Sequence, residues 1–184
     1  MLKIKTLVKI CGITSLDQAI KIAELGPDAI GIISVKESAR YVLPDKKREI
    51  FKALKDLYPH IERVSVVKNI SINAIIQYLL EEQNETIIQL HGDENVEYCQ
   101  KLKQMIPDIC IWKAFRIKNE EDLNKIKPYE NFIDAILLDS WSKEAYGGTG
   151  KRIESKYLKK LAFNKPWWLA GGISKSWLDE IFKI

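Results

Sequence analysis

Three side chains are best suited to moving protons: Lys9 and Cys11 near the start of the chain, and Asp139, which closes an aliphatic run far downstream. On an extended strand Lys9 and Cys11 share one face while Val8 and Ile10 share the other. A thiol near its reference pKa of roughly 8.5 is a poor base at neutral pH, and a neighbouring ammonium favours the thiolate. Taken alone, Cys11 reads as the usual buried, inert cysteine of an apolar strand; Lys9 beside it makes it a candidate base. Asp139 follows Ala135-Ile136-Leu137-Leu138, so its carboxyl group is expected to be partly desolvated, which disfavours the charged form and suits a proton donor. Its ordinary role would be to open a loop or cap a helix.

Binding groups follow the same logic. Of 29 basic residues only Arg40, Arg48, Arg63, Arg116 and Arg152 are arginines. Arg40 sits in a long loop after the second apolar run, where its planar fork could grip a carboxylate; alone, it reads as a solvent-facing side chain. Gly147-Gly148-Thr149-Gly150 and Gly171-Gly172 offer bare backbone N–H groups ahead of helical segments, a setting that favours phosphate. Each is otherwise a turn. Lys151 after the first glycine cluster does not make a nucleotide P-loop, because Ala145 stands where that motif needs Gly and Arg152 where it needs Ser or Thr. Gln89 and His91 share one strand face and are expected to contact substrate, although a loop-ordering hydrogen bond explains His91 equally well.

These residues need rigid elements at one rim. Apolar runs at about residues 6–11, 28–33, 63–68, 86–90, 109–114, 133–139 and 166–170 alternate with stretches of helical period, giving seven β/α units around a parallel sheet. Ser15 and Gln18 have capping-box spacing and Gly26 closes the first helix, whose stripe is Leu16, Ala19, Ile20 and Ala23. Pro44 opens the second helix, with Ile50, Phe51, Leu54 and Leu57 on its apolar face before Pro59. Ser71 and Asn119 are caps for the third and fifth. Cys99, Cys110, Trp167 and Trp168 read as packing residues. The expected architecture is an α/β TIM (β/α)8-type barrel with seven units evident, and polar groups at strand ends form its site.

Composition narrows the classes. The 184 residues, 46 % hydrophobic, suffice for one core, and no linker divides residues 1–184. A formal charge of +4, with lysines scattered among glutamates on helix faces, does not support nucleic-acid binding. No run approaches the ~20 apolar residues of a membrane span and no signal peptide is apparent. Cys11, Cys99 and Cys110 form no Cys-x-x-Cys pair, and two histidines add little, so no metal site and a reducing cytoplasm are expected.

In order, Lys9-Ile10-Cys11-Gly12-Ile13, Gln89-Leu90-His91-Gly92, Leu137-Leu138-Asp139, Gly147-Gly148-Thr149-Gly150 and Leu169-Ala170-Gly171-Gly172-Ile173 resemble the phosphoribosylanthranilate isomerase family from Lys9 to Ile173. The resemblance implies a cofactor-free Amadori rearrangement of a small phosphorylated sugar–anthranilate substrate. Asp139 would protonate the ribose ring oxygen and Cys11 would remove the C2′ proton. Arg40 would hold the anthranilate carboxylate, and the glycine loops the phosphate. Ser38-Ala39-Arg40 departs from the family's Ser-Pro-Arg but keeps the arginine. Family members continue into an eighth strand with a further phosphate-binding segment, whereas this chain ends at Ile184. The domain is therefore expected to be C-terminally incomplete, with open edges on strands one and seven. Truncation of a longer chain is the favoured explanation. The others are a strand supplied by a second copy, as a homodimer, or a seven-unit barrel with impaired phosphate binding. The alternative function is a degenerate, non-catalytic binding or assembly partner.

Overall fold

Seven parallel strands lie side by side in the order of the sequence: β1 (Lys9–Cys11), β2 (Ala29–Ile33), β3 (Glu62–Val67), β4 (Ile87–Leu90), β5 (Cys110–Ile117), β6 (Ala135–Ser140) and β7 (Trp167–Leu169). The computed structural model describes residues 6–81, 84–140, 152–159 and 161–182. Between the strands run α1 (Leu16–Ala23), α2 (Pro44–Leu57), α3 (Ile72–Glu81), α4 (Val96–Met105), α5 (Glu120–Asn124) and α6 (Ser155–Leu158), with α7 (Lys175–Ile181) after β7. All seven expected strands form. Among the described residues β1 and β7 are the ends of the sheet and no pairing joins them.

Strand alternation divides the apolar residues into two layers. Ala29, Ile33, Val64, Val66, Ile87, Trp112 and Ala135 pack with Cys11 and Trp168 on the inner face. Ile30 and Ile32 face outward onto Ala19, Ala23, Ile50, Phe51 and Leu54 of the first two helices. Ile88, Leu90, Ile111, Ile136 and Leu138 do the same against the later ones. Burial of each such side chain contributes about 1.5–3 kcal/mol before chain entropy is set against it. On the inner face the rings of Trp112 and Trp168, two strands apart, meet with centroids 4.6 Å apart, as the inside of a curled sheet allows.

Local signals act largely as expected. Ser15 Oγ accepts from Gln18 N, but Gln18 Oε1 accepts from Thr14 N rather than from Ser15, so the reciprocal bond falls one residue early. Pro44 opens α2, Ser71 Oγ accepts from Ala74 N, and Asn119 forms a capping box with Asp122. Three packing expectations are corrected. Leu57, at the end of α2, is 64 % exposed. Cys110 is exposed where it begins β5, one residue ahead of the buried run Ile111–Ala114. Trp167 is also exposed, since β7 is an edge strand with no described neighbour beyond it.

Lys47 of α2 also differs from the solvated helix lysines around it. Its Nζ lies 3.0 Å from Ser65 Oγ, 3.1 Å from Glu85 Oε1 and 3.4 Å from the centre of the Tyr78 ring, and both Lys47 and Glu85 are buried. Three partners for three ammonium hydrogens tie α2 and α3 to the sheet.

Candidate active site

Lys9 and Cys11 both turn to the inner face of β1, as period-2 alternation requires. What lets them lie there is Gly31, the residue paired with Cys11 on β2. A methyl group on Gly31 would stand 2.7 Å from Cys11 Sγ and 3.2 Å from Lys9 Nζ, so the sulfur and the amine occupy neighbouring space above bare backbone. Sequence reasoning missed this residue, although an isolated glycine in an apolar strand signals a close approach. Gly31→Ala should keep the sheet yet displace both groups. A fall in kcat on the order of 100-fold with an unchanged circular dichroism spectrum is expected; an undiminished rate would show that the sulfur's position is unimportant.

Arg40 reaches the same end of β1. Its Nη1 donates to the carbonyl of Cys11 at 3.3 Å, which lays the guanidinium across the turn that follows the strand. The loop carrying it is pinned by a bridge between Ile33 and Tyr41, and Arg40 N donates to Ser38 Oγ at 3.1 Å. The loop thus has an internal brace although Ala39 occupies the position of the family's proline.

Asp139 occupies the inner face of β6 and is 4 % exposed. His91 Nε2 lies 3.2 Å from Asp139 Oδ2, and His91 Nδ1 lies 2.8 Å from Gln89 Nε2. Gln89 and His91 therefore direct their polar atoms at each other and at Asp139. On the other side of Asp139 runs the turn after β7, where Gly171 and Gly172 have φ of +84° and +63°. A side chain on Gly171 would meet Ser140 Oγ and stand 2.9 Å from Asp139 Oδ1, so this position needs glycine for both its backbone and its neighbour. Gly148, Thr149 and Gly150 lie outside the described residues.

The loop that presents His91 is held from behind. Glu94 accepts from Asn69 N and Gly92 N at 2.8 and 3.0 Å and pairs with Lys113 Nζ at 3.2 Å, both charged groups being buried. Lys113 also donates to the carbonyls of Gly92 and Ala114. A lone lysine in the apolar run of β5 was the available sign of this network. Cys99 is fully buried in α4, and burial pushes its thiol up to about 12, which leaves it inert as expected.

Cys11 and Asp139 thus stand on inner-facing positions at the carboxyl ends of parallel strands, at one mouth of the sheet. A thiol beside an ammonium faces the same space as a carboxyl group held by histidine. Arg40 adds a cation at the rim. Such a set can move protons on a small anionic molecule.

Residues 8–183 match the model of the family described as N-(5'phosphoribosyl)anthranilate (PRA) isomerase. The chain is 42 % identical to the N-(5'-phosphoribosyl)anthranilate isomerase of Trichodesmium erythraeum over 91 % of this chain and 71 % of that protein. The phosphoribosyl anthranilate isomerase structure from Thermotoga maritima superposes with a TM-score of 0.81 at 30 % identity, covering 98 % of this chain and 83 % of that one. Another such isomerase, solved with reduced 1-(o-carboxyphenylamino)-1-deoxyribulose 5-phosphate, gives a TM-score of 0.75 at 29 % identity over 97 % of this chain and 82 % of the other.

Proposed function

This chain belongs to the N-(5'-phosphoribosyl)anthranilate isomerase family, and we propose that Asp139 and Cys11 are the acid and the base with which it works. The reaction converts N-(5-phosphoribosyl)anthranilate into 1-(2-carboxyphenylamino)-1-deoxyribulose 5-phosphate in tryptophan biosynthesis. The observation that supports the assignment is that Cys11, with Lys9 beside it on the same face, and Asp139 take inner-facing positions toward the carboxyl ends of β1 and β6 in one parallel sheet.

Asp139 gives its proton to the ribose ring oxygen, the C1′–O bond breaks, and the anthranilate nitrogen supplies the electron pair that makes the open chain a Schiff base. The Cys11 thiolate, with the Lys9 ammonium as counter-charge, then removes the C2′ proton. Electrons left at C2′ flow to the nitrogen as an enolamine forms, and protonation at C1′ with loss of the hydroxyl proton gives the ketone. No net proton is gained or lost. Arg40 grips the anthranilate carboxylate, and the Gly171–Gly172 turn holds the phosphate with Gly148, Thr149 and Gly150.

No helix among the described residues is long and apolar enough to cross a membrane, and we assign the reaction to the cytoplasm, where three unpaired cysteines stay reduced. The test begins with freshly made phosphoribosylanthranilate and anthranilate fluorescence as the readout. Turnover is expected, and its absence in a folded sample would favour a non-catalytic barrel. Arg40→Ala should raise KM about ten- to hundredfold, the loss expected for a charge-assisted contact, with a smaller change in kcat. An unchanged KM would remove Arg40 from the carboxylate.

A further inference from the structure

Gln89 is 1 % exposed, projects from β4 into the lumen, and is linked to Asp139 through His91. Its amide nitrogen has only hydrogens to offer, so the Nδ1 that it faces at 2.8 Å holds a lone pair. Neutral imidazole then carries its single proton on Nε2, directed at Asp139 Oδ2 3.2 Å away. Turning the amide over would set Gln89 Oε1 against Nδ1–H. An NH2 group with two buried hydrogens would then replace Oε1, the buried side-chain atom that has no partner among the described residues. An orphaned carbonyl oxygen is the smaller penalty, because a buried donor left unpaired is the rarer and costlier state.

We infer that Gln89 is a positioning residue: by holding His91 as the Nε2–H tautomer, it keeps Asp139 Oδ2 as a hydrogen-bond acceptor and places the acidic proton on Oδ1. The inference rests on the reading of Asp139 as the acid. Oδ1 is the oxygen beside Gly171, away from His91. The other tautomer would present a lone pair at Nε2, and the protonated carboxyl group would donate into it. The proton needed by the sugar would then be held in an internal hydrogen bond.

The chain has two histidines, His60 and His91, so nitrogen-15 NMR of the imidazoles reads the tautomer directly. Wild-type His91 is expected to carry its proton on Nε2. Gln89→Glu presents only acceptor oxygens to Nδ1, so that nitrogen should become protonated. Its kcat should fall tenfold or more, toward the roughly 10⁴-fold loss that a wrong tautomer causes in a catalytic triad, with KM little changed. Gln89→Met removes the donor without burying a charge; it should give mixed tautomers and a several-fold lower kcat. A wild-type proton on Nδ1 would overturn the inference. So would a variant that keeps the wild-type kcat, or one that raises KM alone, which would make Gln89 a substrate contact. Asp139→Asn separates the two levels: a wild-type rate there sinks the acid assignment itself, whereas a slow Asp139→Asn with a fast Gln89→Glu sinks only the role of Gln89.

Discussion

Cys11→Ser and Asp139→Asn are each expected to lower kcat by about 10²- to 10⁴-fold while leaving the thermal midpoint nearly unchanged. Serine keeps the shape of cysteine but holds its proton far too tightly to serve as a base. Asparagine keeps the shape of the carboxyl group, and its side-chain oxygen can still accept from His91 Nε2, but it has no acidic proton to give. Each replacement is close in volume to the residue it replaces, so neither opens a cavity. Loss of rate without loss of structure therefore reports on chemistry. The measurement is steady-state turnover by anthranilate fluorescence beside a melting curve on the same sample. A variant within a few-fold of wild type would strike that residue from its role, whatever its placement.

The largest stability effect is expected far from the site, at Lys47. Lys47→Met leaves the buried Glu85 carboxylate without its ammonium partner, and breaking a buried pair in this way costs about 3–5 kcal/mol. The lower end applies, because the Arg63 charge also acts on Glu85. The double variant Lys47→Met/Glu85→Leu removes both charges and should recover most of that loss. Denaturant unfolding of the three proteins measures it; a double variant as unstable as the single would show that the pair contributes more than mutual neutralisation.

Burial also pushes the Lys47 amine from 10.5 down to about 8, against the pull of Glu85. Between those values the unfolded chain holds more protons at this residue than the folded one, so its contribution to stability rises with pH across that window. Below about pH 8 the cost of burying the charge is fully present. The stability difference between wild type and double variant should therefore shift in favour of the wild type from about pH 8 to 10. A flat difference would refute the lowered affinity for the proton.

Much of the scaffold was legible because its signals are local. Seven apolar runs marked seven strands, Pro44 and Asn119 marked helix starts, and alternation put Lys9 and Cys11 on one face of their strand before any pairing was known. Errors came where exposure depends on what lies beyond an element. Leu57, Cys110 and Trp167 are apolar enough for a core, but they sit at a helix end, a strand start and a sheet edge. Lys47 erred in the opposite direction, since nothing in its helix announces a hydroxyl waiting on β3 and a carboxylate just before β4.

The amino-acid order by itself determined which faces are apolar, where strands and helices alternate, and which proton-carrying groups end the strands, because periodicity and capping act within a few residues. Only the tertiary structure decided what those groups touch. His91 meets Asp139 across 48 positions of chain, Lys47 meets Ser65 across 18, and Gly31 clears space for a sulfur on another strand. Such partners are chosen by strand register and helix packing, which bring distant residues within hydrogen-bonding distance without any local pattern to announce them.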